Sequence, residues 1–120
     1  MKILMMFSLL FSLNAFAGEY EIDCVTENNE IQISAKISKE TGKIVNDLKL
    51  IVFGEKVPVE SNQLLRTFLF NGEFILLVLN SDRSNALVFL DIFQKDDSQT
   101  YEGSMDYNNN EFYNIQCKLQ

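Results

Sequence analysis

Apolar and polar residues alternate along most of this chain after its first 17 residues. The segment EIQISAKIS carries an apolar residue at every second position from Ile31 to Ile37, and YEIDC, TYEGSMDY and EFYNIQCKL repeat the pattern. Successive side chains of a β-strand point to opposite faces, so a period of two indicates a strand with one buried face. Alternation on this scale predicts an all-β domain.

Turn signals separate the alternating segments, and no βαβ pattern occurs between them. Asn71-Gly72 is the strongest hairpin signal, because both residues tolerate the positive φ of a type I′ turn. The stretch 61–70 fits a strand or a short helix, and the hairpin turn after it favours the strand. Pro58 indicates an edge strand or a strand end. About eight strands joined by short turns predict an antiparallel up-and-down meander that forms a small barrel or curved sandwich.

The first residues have the pattern of a secretory signal peptide. Lys2 is followed by an apolar run from Ile3 to Leu13 and by the sequence Ala-Phe-Ala that ends at Ala17. The run is shorter than the roughly 20 residues that span a bilayer, so we expect cleavage after Ala17 rather than a membrane anchor. The organisation predicted is a signal peptide at 1–17 and one all-β domain at 18–120. We expect a periplasmic or secreted protein with no integral membrane segment after cleavage.

Two cysteines stand near opposite ends of the predicted domain. Cys24 and Cys117 both fall on the apolar side of their strands. Exported proteins meet an oxidising compartment, where such a pair forms a disulfide. The predicted bond closes a loop of about 93 residues and links the first and last strands. The chain has neither a C-x-x-C motif nor any histidine, which disfavours a redox or metal-binding pair.

The sequence contains none of the usual catalytic constellations. The absence of histidine excludes a Ser-His-Asp triad, a Cys-His pair and histidine-ligated zinc. Nucleotide-binding and nucleophile-elbow motifs are also absent. We therefore expect no enzyme activity, no cofactor and no metal. Acidic residues outnumber basic ones by 17 to 10, for a net charge of −7, which disfavours nucleic acid and would attract a cationic partner. The alternative is that this charge serves solubility alone.

One predicted hairpin, from Phe74 to Phe93, is apolar on both faces. The second face of ALVFLDIF combines Leu87, Phe89 and Phe93 with Asp91. A sheet in water should be polar outside, so these four residues are candidates for a partner-binding patch. The alternative is that another part of the domain, such as 61–70, covers them. Asp91 could pair with Arg66 or anchor the rim of the patch.

The tyrosines suggest a second function. They lie on the predicted inner faces of the terminal strands, where an apolar ring with a polar tip suits a small pocket. The alternative is ordinary core packing, because a barrel of this size is filled by its own side chains. The candidate ligand-binding residues are Tyr20, Tyr101, Tyr107 and Tyr113.

The opening YEIDCVTENNEIQISAKI is similar to the start of small exported bacterial inhibitors of c-type lysozyme, in which an early cysteine precedes a β-hairpin. The resemblance implies an antiparallel barrel. The central S-G-x-x-Y segment and the lysine-glycine loop of those inhibitors have no counterpart here, so no inhibitory residue is transferred. The function predicted is an exported, non-catalytic binding module for a protein partner, with inhibition as one form of it. The alternative is a small-ligand carrier with a tyrosine-lined interior.

Overall fold

The computed structural model describes residues 18–46, 48–96 and 99–120. The predicted signal peptide lies outside these residues. Within them, the helical element is a three-residue 3-10 turn at Ser61–Gln63, and no helix has the length and apolar character needed to cross a membrane. The strands are β1 (Glu19–Thr26), β2 (Ile31–Ser38), β3 (Lys49–Val52), β4 (Glu55–Val57), β5 (Leu64–Phe70), β6 (Glu73–Leu79), β7 (Ala86–Gln94), β8 (Thr100–Tyr107) and β9 (Glu111–Leu119).

The strands form a single antiparallel sheet in the order β4-β3-β2-β1-β9-β8-β7-β6-β5. The sheet curls into a half-barrel. The all-β meander predicted from the sequence is therefore confirmed. The described residues contain nine strands rather than the predicted eight or so, because the short segment between the turn at Phe53-Gly54 and Pro58 forms the edge strand β4.

The first and last strands are neighbours, and the disulfide joins them. Cys24 lies directly opposite Cys117 in the β1–β9 register, with Cα atoms 4.0 Å apart. Both residues are buried in the core. The predicted disulfide is confirmed. The first strand, β1, is thus paired with the last strand, β9. The two edges of the sheet are β4 and β5, which follow one another in the chain but are not paired.

One face of the sheet supplies the hydrophobic core. The buried residues follow the period-two pattern of each strand, so β2 buries Ile31, Ile33, Ala35 and Ile37 while Gln32 and Lys36 face solvent. Strands β6 and β7 bury alternate residues in the same way. The inner face carries a continuous cluster of buried side chains, which includes Ile22, Leu50, Phe74, Leu76, Val78, Val88, Leu90, Ile92, Met105 and Ile115.

Connecting segments cover parts of the open side. Gly42, in the β2–β3 connection, is buried at φ +74°, and a side chain there would come within 3.0 Å of the backbone nitrogen and oxygen of Leu69 on β5. Only glycine permits this close approach without strain. At the other end of β5, the buried Gln63 side chain accepts a hydrogen bond from the Glu60 amide and donates one to the Leu79 carbonyl. Loops thus partly replace the missing β4–β5 ladder.

The predicted turns and strand ends agree with the structure in detail. Asn71 and Gly72 have φ of 59° and 79°, the double positive φ of a type I′ hairpin. The ambiguous stretch 61–70 is the short 3-10 turn followed by β5, so the strand favoured by the sequence is correct for 64–70. Pro58 directly follows β4, which is an edge strand.

Candidate functional site

Phenylalanine is distributed on the outside of this domain rather than in its core. The chain has seven phenylalanines after residue 17. Phe74 alone among them is buried, and the other six are exposed: Phe53, Phe68, Phe70, Phe89, Phe93 and Phe112. Phenylalanine is among the residue types most often found buried in soluble proteins. An exposed set of this size therefore requires an explanation beyond the fold.

Four of the exposed phenylalanines lie on the outer face of β5 and β7, the two strands that flank β6. Strand pairing places each of them opposite a residue of β6. Phe68 of β5 is opposite Ile75, and Phe89 of β7 is opposite Leu77. Phe70 and Phe93 lie on either side of Glu73. The Phe68 and Phe70 rings are 6.0 Å apart. We call this surface the outer aromatic face; its apolar members are Phe68, Phe70, Ile75, Leu77, Phe89 and Phe93.

The sequence identified the β7 part of this face correctly. Phe89 and Phe93 point outward, with 42% and 53% of their surface exposed, and residues 64–70 extend the face as β5 instead of covering it. The alternative that 61–70 buries this face is therefore wrong. Leu87 differs from the other candidates. It lies at the irregularity where β6 and β7 shift register, is half-buried and packs against the core.

Carboxylates stand among the aromatic side chains. Glu73 on β6 and Asp91 on β7 are diagonal neighbours, and Asp106 on β8 lies opposite Phe89. A hydrogen bond to the Asp91 carboxylate raises the pKa of Glu73, and desolvation and the Asp91 charge raise it further. The Oδ1 atoms of Asp91 and Asp106 are buried and have no hydrogen-bond partner. The face therefore combines apolar area with acceptors that lack a donor.

Of the two roles suggested by the sequence for Asp91, an ion pair with Arg66 and an anchor at the rim, the ion pair is not found among the described residues. Arg66 lies on β5 opposite Leu77 of β6, and Leu77 is opposite Phe89 rather than Asp91. Within the described part of the chain the two side chains make no ion pair, and Asp91 instead contacts Glu73. The reason is register. Asp91 is opposite Ile75, which in turn is opposite Phe68.

A glycine brings β8 close to β7 beside Asp91. Gly103 pairs with Ile92, and a side chain at Gly103 would lie 2.8 Å from the Ile92 Cα and would collide with the Asp91 carbonyl oxygen. A strand glycine of this kind marks a close approach of two backbones. Asp91 and Asp106 are diagonal neighbours on the outer face beside this close approach.

The four candidate tyrosines are on the inner face, as predicted. Tyr101 is buried, and the other three are half-buried and pack against the core cluster. Burial raises the pKa of Tyr101, Tyr107 and Tyr113. Two clefts of about 560 and 410 Å³ along β1 and its neighbours are lined by none of these tyrosines, whereas Tyr20 lines a third cleft of about 360 Å³. The contacts of the other three tyrosines are those of packing residues.

Phe68, Phe70, Glu73 and Asp106 were not recognised from the sequence as site residues. The first three could have been found by following the strand pairing away from the Asn71-Gly72 turn, because a two-residue turn determines which side chains of the hairpin are opposite one another. Asp106 gives no such signal, since it occupies an ordinary polar position of an alternating strand.

The chain matches no known protein family, and neither curated proteins nor solved structures show significant similarity to it.

Proposed function

We propose that this chain is an exported, non-catalytic binding module that docks a cationic protein on its outer aromatic face. The observation that carries the proposal is the exposure of four phenylalanines on β5 and β7, on either side of β6, around the carboxylates of Glu73 and Asp91. A contiguous apolar patch with polar groups in it is typical of a protein interface. Leu87, Phe89, Asp91 and Phe93 remain our candidate contact residues, and Phe68 and Phe70 join them.

The energetics favour a macromolecular partner. Each square ångström of apolar surface removed from water contributes about 25 cal/mol, so several half-exposed phenyl rings offer a substantial driving force for association. Aromatic side chains are enriched at the buried centres of interfaces. These considerations favour a protein partner over a small molecule.

Charge supports a partner of opposite sign. The chain has a net charge of −7, and the face itself contains Glu73 and Asp91 in direct contact. Negative potential accelerates encounter with cationic proteins and opposes nucleic acid. An inhibitory role on such a partner is one form of this function. A tyrosine-lined carrier stays a prediction without a supporting contact, because the four tyrosines pack against the core.

The disulfide supports the exported location. A bond between Cys24 and Cys117 persists in the periplasm or outside the cell and is rare in the cytosol. A periplasmic or secreted protein remains our proposal for its localisation.

Affinity capture from a periplasmic extract tests the function. Wild type, Phe89→Ser and Phe93→Ser are immobilised in parallel with Phe53→Ser, which removes an equally exposed phenylalanine from a turn outside the outer aromatic face. We expect a basic protein to be retained by wild type and Phe53→Ser and lost from the other two. Retention that is independent of Phe89 and Phe93 would contradict the proposal.

A further inference from the structure

The turn between β5 and β6 is built from the only Asn-Gly dipeptide in the chain. Asn71 is exposed at φ 59°, and Gly72 follows it at φ 79°. At the base of the turn, Phe70 of β5 lies opposite Glu73 of β6. Few pairs of residues tolerate two successive positive φ angles, and Asn-Gly is the pair best suited to them. The hairpin therefore depends on a dipeptide that is also chemically reactive.

The reactive groups of this dipeptide are free within the described residues. There the Asn71 side chain forms no hydrogen bond, whereas the Asn80 side chain accepts one from the Ser84 amide. The Gly72 amide nitrogen has no acceptor among the same residues, while the Gly72 carbonyl accepts a hydrogen bond from the Gln94 amide at 2.7 Å. Glycine has no side chain to shield its nitrogen from an approaching carbonyl carbon.

We propose that Asn71-Gly72 is a site of spontaneous covalent modification, at which the asparagine is converted to isoaspartate. The Gly72 nitrogen attacks the Cγ atom of Asn71 and forms a C–N bond, while the side-chain nitrogen leaves as ammonia together with the Gly72 amide proton. Water then opens the resulting succinimide ring at one of its two carbonyls. The products are aspartate or isoaspartate at position 71. This inference is independent of the proposed docking function.

The native turn slows the reaction without preventing it. In left-handed backbone, the Cβ atom and the nitrogen of the next residue lie on nearly opposite sides of the Cα–C bond. Attack on Cγ therefore requires the turn to open. Strand β5 is an edge strand and pairs with β6 alone in the described sheet, and such a hairpin end opens at a lower cost in free energy than the interior of a sheet.

The two products differ in their effect on the hairpin. Isoaspartate adds a methylene carbon to the main chain, which lengthens the two-residue turn by one atom and removes its type I′ geometry. The change reaches Phe70 and Glu73 at the base of the turn, and Gln94 through its bond to Gly72. Aspartate keeps the length of the main chain, and Asp-Gly also forms type I′ turns. Only the isoaspartate product should weaken the hairpin.

Peptide mapping by mass spectrometry tests the site. Folded protein is incubated in mildly alkaline buffer beside a sample unfolded in urea, and complete conversion of the unfolded sample sets the length of the incubation. We expect Asn71 to be converted in both samples, more slowly in the folded one, with release of ammonia. Asn29, Asn108 and Asn109 are internal controls. They are exposed and left-handed like Asn71, but each precedes a residue with a side chain, so they should react more slowly.

Two substitutions separate the chemistry from its effect on stability. Asn71→Gly removes the reactive amide and keeps the turn, since Gly-Gly also adopts type I′, so incubation should not change its melting temperature. Asn71→Asp adds the charge without the extra atom and should melt close to fresh wild type. The isoaspartyl fraction, separated chromatographically, should melt about 4–8 °C earlier, the shift expected when a domain of this size loses one ordinary stabilising interaction.

Each result supports or overturns part of the inference. An Asn71 that stays intact in the folded protein overturns the modification site, and so does equal conversion at Asn29, Asn108 or Asn109. An isoaspartyl fraction that melts together with the unmodified chain overturns the effect on the hairpin. None of these results bears on docking, which is judged by the Phe89-dependent capture.

Discussion

Cys24 and Cys117 face each other across two strands that are already paired, with their Cα atoms 4.0 Å apart. The disulfide therefore reinforces the contact between the two ends of the meander and leaves the opening between β4 and β5 without a covalent link. Its two residues are 93 positions apart, so it constrains nearly the whole unfolded chain. A constraint of that length stabilises the folded state mainly by reducing the entropy of the unfolded chain.

Replacing both cysteines with serine should lower the free energy of unfolding by about 2–5 kcal/mol. Urea denaturation of the oxidised wild type and of the double variant measures the difference. A thiol assay on the unfolded, unreduced wild type should detect no free thiol. Two free thiols, or an unchanged denaturation midpoint, would contradict the role given to the disulfide.

The turn at Phe53 offers a stabilising substitution. Phe53 has φ of 51° and Gly54 has φ of 81°, which matches the type I′ geometry of Asn71-Gly72. A bulky side chain in left-handed backbone costs about 1–2 kcal/mol, whereas asparagine tolerates it. Because Phe53 is 61% exposed, little burial is lost on its removal. Phe53→Asn should raise the free energy of unfolding by about 1 kcal/mol.

The reciprocal substitution is the control for this turn. Asn71→Phe should lower the free energy of unfolding by about the same amount, since it places phenylalanine in the same backbone conformation. Chemical denaturation of both variants supplies the comparison. A loss of stability in Phe53→Asn would show that the Phe53 ring makes a stabilising contact that outweighs its backbone strain.

Gly103 should be intolerant of any side chain. A methyl group there would lie 2.8 Å from the Ile92 Cα, and backbone atoms cannot move aside as a flexible side chain can. Gly103→Ala should therefore lower the free energy of unfolding by about 1–3 kcal/mol. Ser104→Ala, at the next and exposed position, is the control and should change it by less than about 0.5 kcal/mol. Equal effects in a thermal melt would contradict the close approach of β7 and β8.

The contact between Glu73 and Asp91 should give stability a specific pH dependence. Because the pKa of Glu73 is raised above 4.5 in the folded chain, the folded state binds a proton more readily than the unfolded state. The resulting stabilisation is present below pH 4.5 and is lost as the pH rises through the raised pKa. The charged residues near Glu73 are Asp91 on β7 and Glu102 on β8. Phe93 lies between Glu73 and Glu102, and Phe70 of β5 is opposite Glu73.

Glu73→Gln should remove this component. The difference in unfolding free energy between the variant and wild type should grow as the pH rises above 4.5, to the advantage of the variant. Glu55→Gln on β4 removes the same charge far from the face and is the control. Denaturation at a series of pH values measures both differences, and parallel profiles for the two variants would contradict the coupling of Glu73 to Asp91.

Most of the fold was predictable because its strands alternate cleanly. A period of two determines which residues of β2, β8 and β9 are buried, and a two-residue Asn-Gly turn determines the β5–β6 register. The additional strand β4 was not counted because Pro58 leaves the segment before it open between an edge strand and a strand end. The position of the opening was not predictable either. The link between the first and last strands was predicted, but the opening depends on β4, which is only three residues long and ends before Pro58.

The candidate site was predictable in part for the same reason. Alternation placed Phe89, Asp91 and Phe93 on one face of a strand, and the structure agrees. It did not indicate which residues of the neighbouring strands lie beside them, because that depends on register. For this reason the alternative in which Asp91 pairs with Arg66 does not hold, and the Glu73–Asp91 contact follows from the β6–β7 register.

Two phenylalanines on adjacent strands should respond to the same substitution in different ways. Phe74 on β6 is 1% exposed and belongs to the core, while Phe89 on β7 is 42% exposed and belongs to the outer aromatic face. Phe74→Ser should lower the free energy of unfolding by about 3 kcal/mol or more, because it leaves a cavity and buries a hydroxyl. Phe89→Ser should lower it by less than about 1 kcal/mol, because it removes a ring that is already partly in water.

Thermal melting and light scattering on both variants decide whether the outer aromatic face is a binding surface. A folded Phe89→Ser variant that loses partner capture, or loses concentration-dependent association where the wild type shows it, supports docking through this face. If Phe89→Ser melts as early as Phe74→Ser while the wild type is a concentration-independent monomer, Phe89 is part of the packed structure. Its exposure would then give no reason to assign a partner to this face.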